Sequence, residues 1–222
     1  MTSILQWFDE ALSSTGAVNV GFEDHDMSVS LYNNLSKRIA DSQIPAKLVP
    51  TGSMASNLRA IKEAAELSVI EHAIKIADDA MDTVSQRLKP GLTERDIAWD
   101  MERTMRELGA DALSFDTIIA SGPNGAKAHH KPTDRRIELG DSIVIDMGAL
   151  YQGYCSDITR TFVLGHASEQ FRKVYDTVLT AQETAAATAI AGMTGEEIDG
   201  LARQVIENAG YGASFGHSLG HG

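Results

Sequence analysis

At 222 residues the chain can bury one full core, or one core and part of another, and with 43% hydrophobic and 23% charged residues it is not a disordered polymer. Its 31 acidic against 19 basic side chains leave a formal net charge of -12, which disfavours nucleic acid and anionic membranes as partners. One cysteine excludes an internal disulfide framework, no apolar run approaches the ~18 residues of a membrane span, and MTSILQWFDEALSS is not a signal peptide, so the chain reads as cytoplasmic.

Residues 1–56 read as a small α/β piece. A strand over 18–22 (VNVGF) ends in Glu23, Asp24 and Asp26; a helix follows from Ser28 to Ile39, then a second strand over 46–49, before the breakers Pro50 and Gly52. The segment holds too few apolar residues for a core of its own, and His25 reads as a surface residue.

From Asn57 the period becomes helical. Leu67, Ile70, Ile74, Ala77, Met81, Val84 and Leu88 form one apolar stripe, which Lys89, Pro90 and Gly91 end. Thr93 with Asp96 has capping-box spacing, and Ile97, Met101, Met105 and Leu108 make the next stripe, closed by Gly109. His72, inside the first helix, reads as structural. The stretch 91–109 returns at 192–210 with constant offset, aligning Gly91 with Gly192, Thr93 with Thr194, Ile97 with Ile198 and Gly109 with Gly210. Each copy follows a long amphipathic helix, the second over 168–191 with Phe171, Val174 and Val178 inward, so the chain predicts two related αα-plus-strand halves around a central sheet.

Between the copies lie the residues that carry chemistry. A strand over 114–121 leads into the loop GPNGAKAHHKPTDRRIELGD, where the paired His129 and His130 offer a histidine placed to move protons or bind substrate, with a surface histidine as the plain alternative. Then come two strand-like runs, 142–148 and 158–164, joined by a turn that ends in Gly153, with Asp146 in the first run and Asp157 at the mouth of the second. Their odd separation and a hairpin centred on Tyr151 and Gln152 predict that the two aspartates are directly opposed on one face, with Cβ atoms about 4.5–5.5 Å apart. Carboxylates that close ionise together only with a cation between them, so a metal site is one reading and a surface hairpin with two solvated aspartates the other. Cys155 reads as a small buried packing residue. The final SFGHSLGHG places His217 and His221 among glycines that disfavour helix and permit close approach of a ligand.

IVIDMGALYQGYCSDITRTFVLG, preceded by HHKPTDRRIELGD and followed by GHSLGHG, resembles the pita-bread metallopeptidases, in particular the Xaa-Pro dipeptidase (prolidase) and Xaa-Pro aminopeptidase branch. The resemblance implies an α+β pita-bread fold, with a central antiparallel sheet flanked by two pseudo-symmetric αα units and its C-terminal part missing. It implies a remnant of an N-terminal creatinase-like domain with its linker over 1–56 and a partial catalytic domain over 57–222. By the same resemblance Asp146, Asp157 and His221 are metal ligands, three of five expected, and His129 and His217 are catalytic, with His130 merely adjacent. Two divalent ions, Mn or Co, are implied, with metal-dependent hydrolysis of the peptide bond preceding proline, a proline-containing peptide as substrate and a homodimer. The expectation for the chain as written is a fragment truncated at both ends, weakly active or inactive. A methionine aminopeptidase-like enzyme and a non-catalytic binding module on the same fold are the alternatives.

Overall fold

The computed structural model describes residues 4–42 and 45–220, in two compact units that divide at Leu67 and Ser68. In the first unit, helix α1 (Ile4–Thr15) precedes a parallel pair of strands, β1 (Asn19–Phe22) and β2 (Lys47–Pro50), joined through α2 (Val29–Ser42). Leu12, Leu35 and Ile39 are its buried apolar residues, and Arg38 of α2 pairs with Asp9 of α1. His25 is exposed, as its acidic, turn-forming surroundings predict. The short helix α3 (Met54–Ala60) ends where Ile61 turns extended, so the helical period from Asn57 is interrupted before α4 (Ala64–Ser85) begins.

The second unit has its main core where α4 and α5 (Glu94–Glu107) pack on the sheet strands. Ala77, Met81 and Val84 of the predicted stripe are buried, together with Ile97, Met101 and Met105. Leu67 and Ile74 are exposed instead, because α4 buries Ala73, Ile76 and Ala80 one step around the helix; Leu108 is exposed too. His72 is exposed, its ring 4.3 Å from that of Tyr151. No helix among the described residues is long and apolar enough to cross a membrane.

The antiparallel sheet comes as two three-stranded pieces. One is β3 (Ala112–Leu113), β6 (Ala149–Tyr151) and β7 (Tyr154–Cys155), in the order β3-β6-β7. The other is β4 (Ile118–Ser121), β5 (Ser142–Met147) and β8 (Ile158–Val163), in the order β4-β5-β8. Strand β4 is shorter than the predicted 114–121: Ser114 instead extends the pairing of β3, its amide donating to the Gly148 carbonyl at 2.9 Å and its hydroxyl to the Ser156 carbonyl at 2.7 Å. On β5, Ile143, Ile145 and Met147 are fully buried, and Ser142, Val144 and Asp146 occupy the other, more open face. Cys155 is exposed, not buried, because β7 is the outer strand of its sheet.

The second helical pair, α6 (Glu169–Thr188) and α7 (Gly195–Asn208), has a small core of its own around Ala181, Ala185, Ala202 and Ile206. The predicted inward face of α6 is corrected: Val174 is 36% and Val178 53% exposed, since α6 meets α7 through its alanines. The sequence echo is real in three dimensions. Thr93 and Thr194 each form a complete capping box, with Asp96 and Glu197 returning to the cap backbone. Gly109 and Gly210 each take the left-handed conformation after the helix, at φ 107° and 86°.

Candidate metallopeptidase site

Two residues set the register that builds the site. Gln152 and Gly153 both have positive φ, 47° and 84°, the signature of a two-residue type I′ hairpin turn. The ladder therefore pairs Leu150 with Cys155 and Tyr151 with Tyr154, and further on Asp146 with Thr159. The predicted centre at Tyr151 and Gln152 is one position early, so Asp146 and Asp157 are diagonal rather than directly opposed. They still share a face, because the slip preserves parity.

Gly148 makes this possible. An added Cβ there would lie 1.9 Å from the Ser156 carbonyl oxygen, so only glycine lets the return strand cross at that point and deliver Asp157 beside β5. Asp146 accepts a hydrogen bond from the Thr159 hydroxyl at 2.8 Å. Burial pushes the Asp146 carboxyl above its ordinary range, the charge of Asp157 adds to that rise, and the Thr159 hydroxyl and His129 oppose it.

The open face of the sheet forms one wall of a cleft of about 750 Å³, the size of a small-molecule site. Ile118, Ala120, Val144 and Thr159 line it with Asp146 and Asp157, and Lys127, His129 and His217 close over them. The His129 and His217 rings approach edge to face with centroids 6.2 Å apart. His217 Nδ1 donates to the Ser218 carbonyl at 2.7 Å, which fixes the proton on that nitrogen and leaves Nε2 as the one available to a ligand. The His217 loop is held from α7: Arg203 donates to the Phe215 carbonyl at 3.2 Å and the His217 carbonyl at 3.4 Å, and Asp199 accepts from the Leu219 amide at 2.6 Å.

Of the predicted site residues, Asp146, Asp157, His129 and His217 thus converge on one cleft. His221 lies outside the described residues; Gly220, just before it, lines the cleft. Among the described residues no group of three or more acid, histidine or cysteine side chains is placed to hold a metal ion. The donor chemistry still fits a divalent cation, since two carboxylates share a cleft wall and the raised Asp146 is the group a cation would relieve.

The neighbouring histidines, adjacent in sequence, part company in space. His129 faces the cleft, whereas His130 is buried and donates from Nε2 to Glu94 Oε2 at 2.8 Å. Glu94 is a residue that sequence reasoning missed. Nothing in its local sequence singles it out, because its partners come from 27 to 39 residues further on. Asp199 and Arg203 were missed for the same reason, since the backbone groups they hold lie 12 to 20 residues further on.

The match to the model of metallopeptidase family M24 extends over residues 68–222. This chain belongs to that family. It is 42% identical over 220 residues to the Bacillus subtilis protein named uncharacterized peptidase YqhT, covering 99% of this chain and 61% of that one. It is 48% identical over 166 residues to the Xaa-Pro dipeptidase of Pyrococcus furiosus, covering 75% of this chain and 48% of the relative. Among solved structures, the X-Pro aminopeptidase of Thermotoga maritima superposes with TM-score 0.91 at 37% identity, and the Xaa-Pro dipeptidase of Bacillus anthracis with 0.90 at 37%. All of this chain and 61% of each of those chains is covered. The fold of the M24 chain is accordingly the pita-bread fold, and the chain spans about three fifths, or less, of the length of these relatives.

Proposed function

We propose that the cleft hydrolyses the peptide bond preceding proline, in a proline-containing peptide, with divalent metal held by Asp146, Asp157 and His221. The observation that carries this reading is the meeting of the two aspartates with His129 and His217 on one cleft wall and its rim. The names of the similar dipeptidases and aminopeptidases support the proline specificity. Bound there, a divalent ion supplies Lewis-acid activation of water and of the scissile carbonyl. Mn or Co is the metal proposed, on the resemblance to the pita-bread metallopeptidases; carboxylate-rich ligation with one imidazole is in itself compatible with Mn, Fe or Zn.

The protein's own groups supply the rest. Thr159 orients the Asp146 carboxylate. In the neutral ring Nδ1 of His217 donates to the Ser218 carbonyl, which leaves Nε2 as the nitrogen set to accept a proton or a hydrogen bond from substrate. His129, whose ring meets that of His217 edge to face in the same cleft, steadies developing charge. The proposal includes creatinase-like N-terminal domain and linker residues over 1–56 before the catalytic unit, a homodimer, and a cytoplasmic setting that the single cysteine supports.

The test is binding at the cleft. With diamagnetic Zn²⁺ standing in for Mn²⁺, an Xaa-Pro dipeptide is expected to shift the His129 and His217 imidazole NMR signals, and the same dipeptide with alanine for proline to do so far less. Equal responses to both dipeptides, or none, would contradict the proline reading.

A further inference from the structure

Glu94 is wholly buried at the first turn of α5, and each of its oxygens accepts three hydrogen bonds. Oε1 receives the Ser121 amide and hydroxyl at 2.8 Å each and Asn124 Nδ2 at 3.0 Å. Oε2 receives His130 Nε2 at 2.8 Å, the Thr133 amide at 2.9 Å and the Thr133 hydroxyl at 2.7 Å. One oxygen therefore holds the start of the 121–133 loop and the other holds its end. The segment between them is exposed, and it carries Gly125, Lys127, Ala128 and His129 into the cleft wall. Asn124 extends the hold, since its Oδ1 accepts from Lys127 Nζ at 3.0 Å.

We propose that Glu94 is a positioning residue for the cleft: its two oxygens pinch the base of the loop, so that Lys127 and His129 are presented at a fixed height over Asp146 and Asp157. The consequence for His129 rests on the proposed peptidase reading; the pinch itself does not. Burial opposes ionisation of Glu94, but the bonds from Asn124, His130, Thr133 and Ser121 outweigh it and hold the carboxyl well below the usual carboxylate range. An anion suits the role, because both oxygens of a carboxylate are acceptors only, whereas an amide would turn a donor toward three of these donors. The second helical pair underlines the point. Gly195 occupies the place equivalent to Glu94, and there the histidine loop is held from further along the helix, by Asp199 and Arg203.

The experiment compares the full 222-residue chain with Glu94→Gln and Asn124→Ala, metal-free, by ¹⁵N relaxation and histidine side-chain NMR. The amide side of Gln faces donors it is unable to accept from, so Glu94→Gln opens the pinch; Asn124→Ala removes one bond and leaves the charge satisfied, which keeps the test alive if the first variant fails to fold. Order parameters over residues 125–129 are expected to fall from about 0.85 toward 0.6 or below in Glu94→Gln, and part of the way in Asn124→Ala. The His129 imidazole signal should move while that of His217 stays. A core polar group with no positioning role would lower stability without moving either readout, so folded variants with unchanged loop order and His129 shift would overturn the proposal. Mn²⁺ titration of the same samples keeps the two readings apart. A loosened loop in a chain that binds no Mn²⁺ refutes the metal site and leaves the positioning role standing, whereas Mn²⁺ binding with an unaltered loop does the reverse.

Discussion

The two helical pairs of the M24 chain share their punctuation and differ in what they bury. Both second helices open on a threonine capping box and close on a left-handed glycine, with C-cap residues Leu108 and Ala209 in nearly identical backbone conformations. Yet α4 and α5 bury Ile76, Met81, Ile97, Met101 and Met105 against the sheet, while α6 meets α7 chiefly through alanines and leaves Val174, Tyr175, Val178 and Leu179 exposed. Caps and turns are local chemistry, decided within four or five residues. Burial is decided by whatever lies across the interface, and only the first pair has the sheet core across from it among the described residues.

The largest effect that would break this comparison lies at Glu94. Glu94→Ala strands buried donors on Ser121, His130 and Thr133 and is expected to cost about 3 kcal/mol or more, read as a lower urea midpoint, whereas Gly195→Glu at the equivalent cap-proximal position should be neutral or slightly stabilising. Met101→Ala follows, at roughly 2–5 kcal/mol, because the side chain is fully buried in the first pair; Val178→Ala in the second should stay within about 0.5 kcal/mol. The shared caps should give matched losses: Thr93→Ala and Thr194→Ala each about 1 kcal/mol, read by hydrogen exchange of α5 and α7 amides. Unequal losses would mean that the echo in sequence is not an echo in energetics.

Acid sharpens the same contrast. The folded-state pKa of Glu94 is depressed, so its stabilisation is complete above an unfolded value of about 4.3 and is lost as pH falls below it toward the folded value. Protection of α5 amides should therefore decline between about pH 5 and pH 3, and Glu94→Gln should flatten that decline. Matching pH slopes in the two proteins would assign the acid sensitivity to other carboxylates.

Much of this architecture was legible beforehand, for identifiable reasons. The capping threonines, the closing glycines and the period of the α5 stripe are short-range signals, and each stands where the sequence predicts it except Leu108 at the end of the stripe, which is exposed. The open face of β5 follows from alternation, and Asp146 and Asp157 share it because parity survives a shifted turn centre. The turn itself misled, since Gln152 in a left-handed conformation is unusual for a residue other than glycine and moved the register by one position along each strand. Val174 and Val178 misled in the opposite sense: an apolar stripe states that a face can be buried, not that its partner is at hand. Glu94 was invisible because six long-range bonds, not its neighbours in sequence, make a buried carboxylate tolerable.

The central claim is that Asp146 and Asp157 form the heart of a metal-binding cleft, and Mn²⁺ titration followed by paramagnetic broadening of amide signals tests it most directly. The account predicts that broadening centres on residues 146 and 157–159 and spreads to His129 and His217, and that Asp157→Asn abolishes it at the same metal concentration. Broadening scattered over the acidic surface, and unchanged by Asp157→Asn, would contradict it.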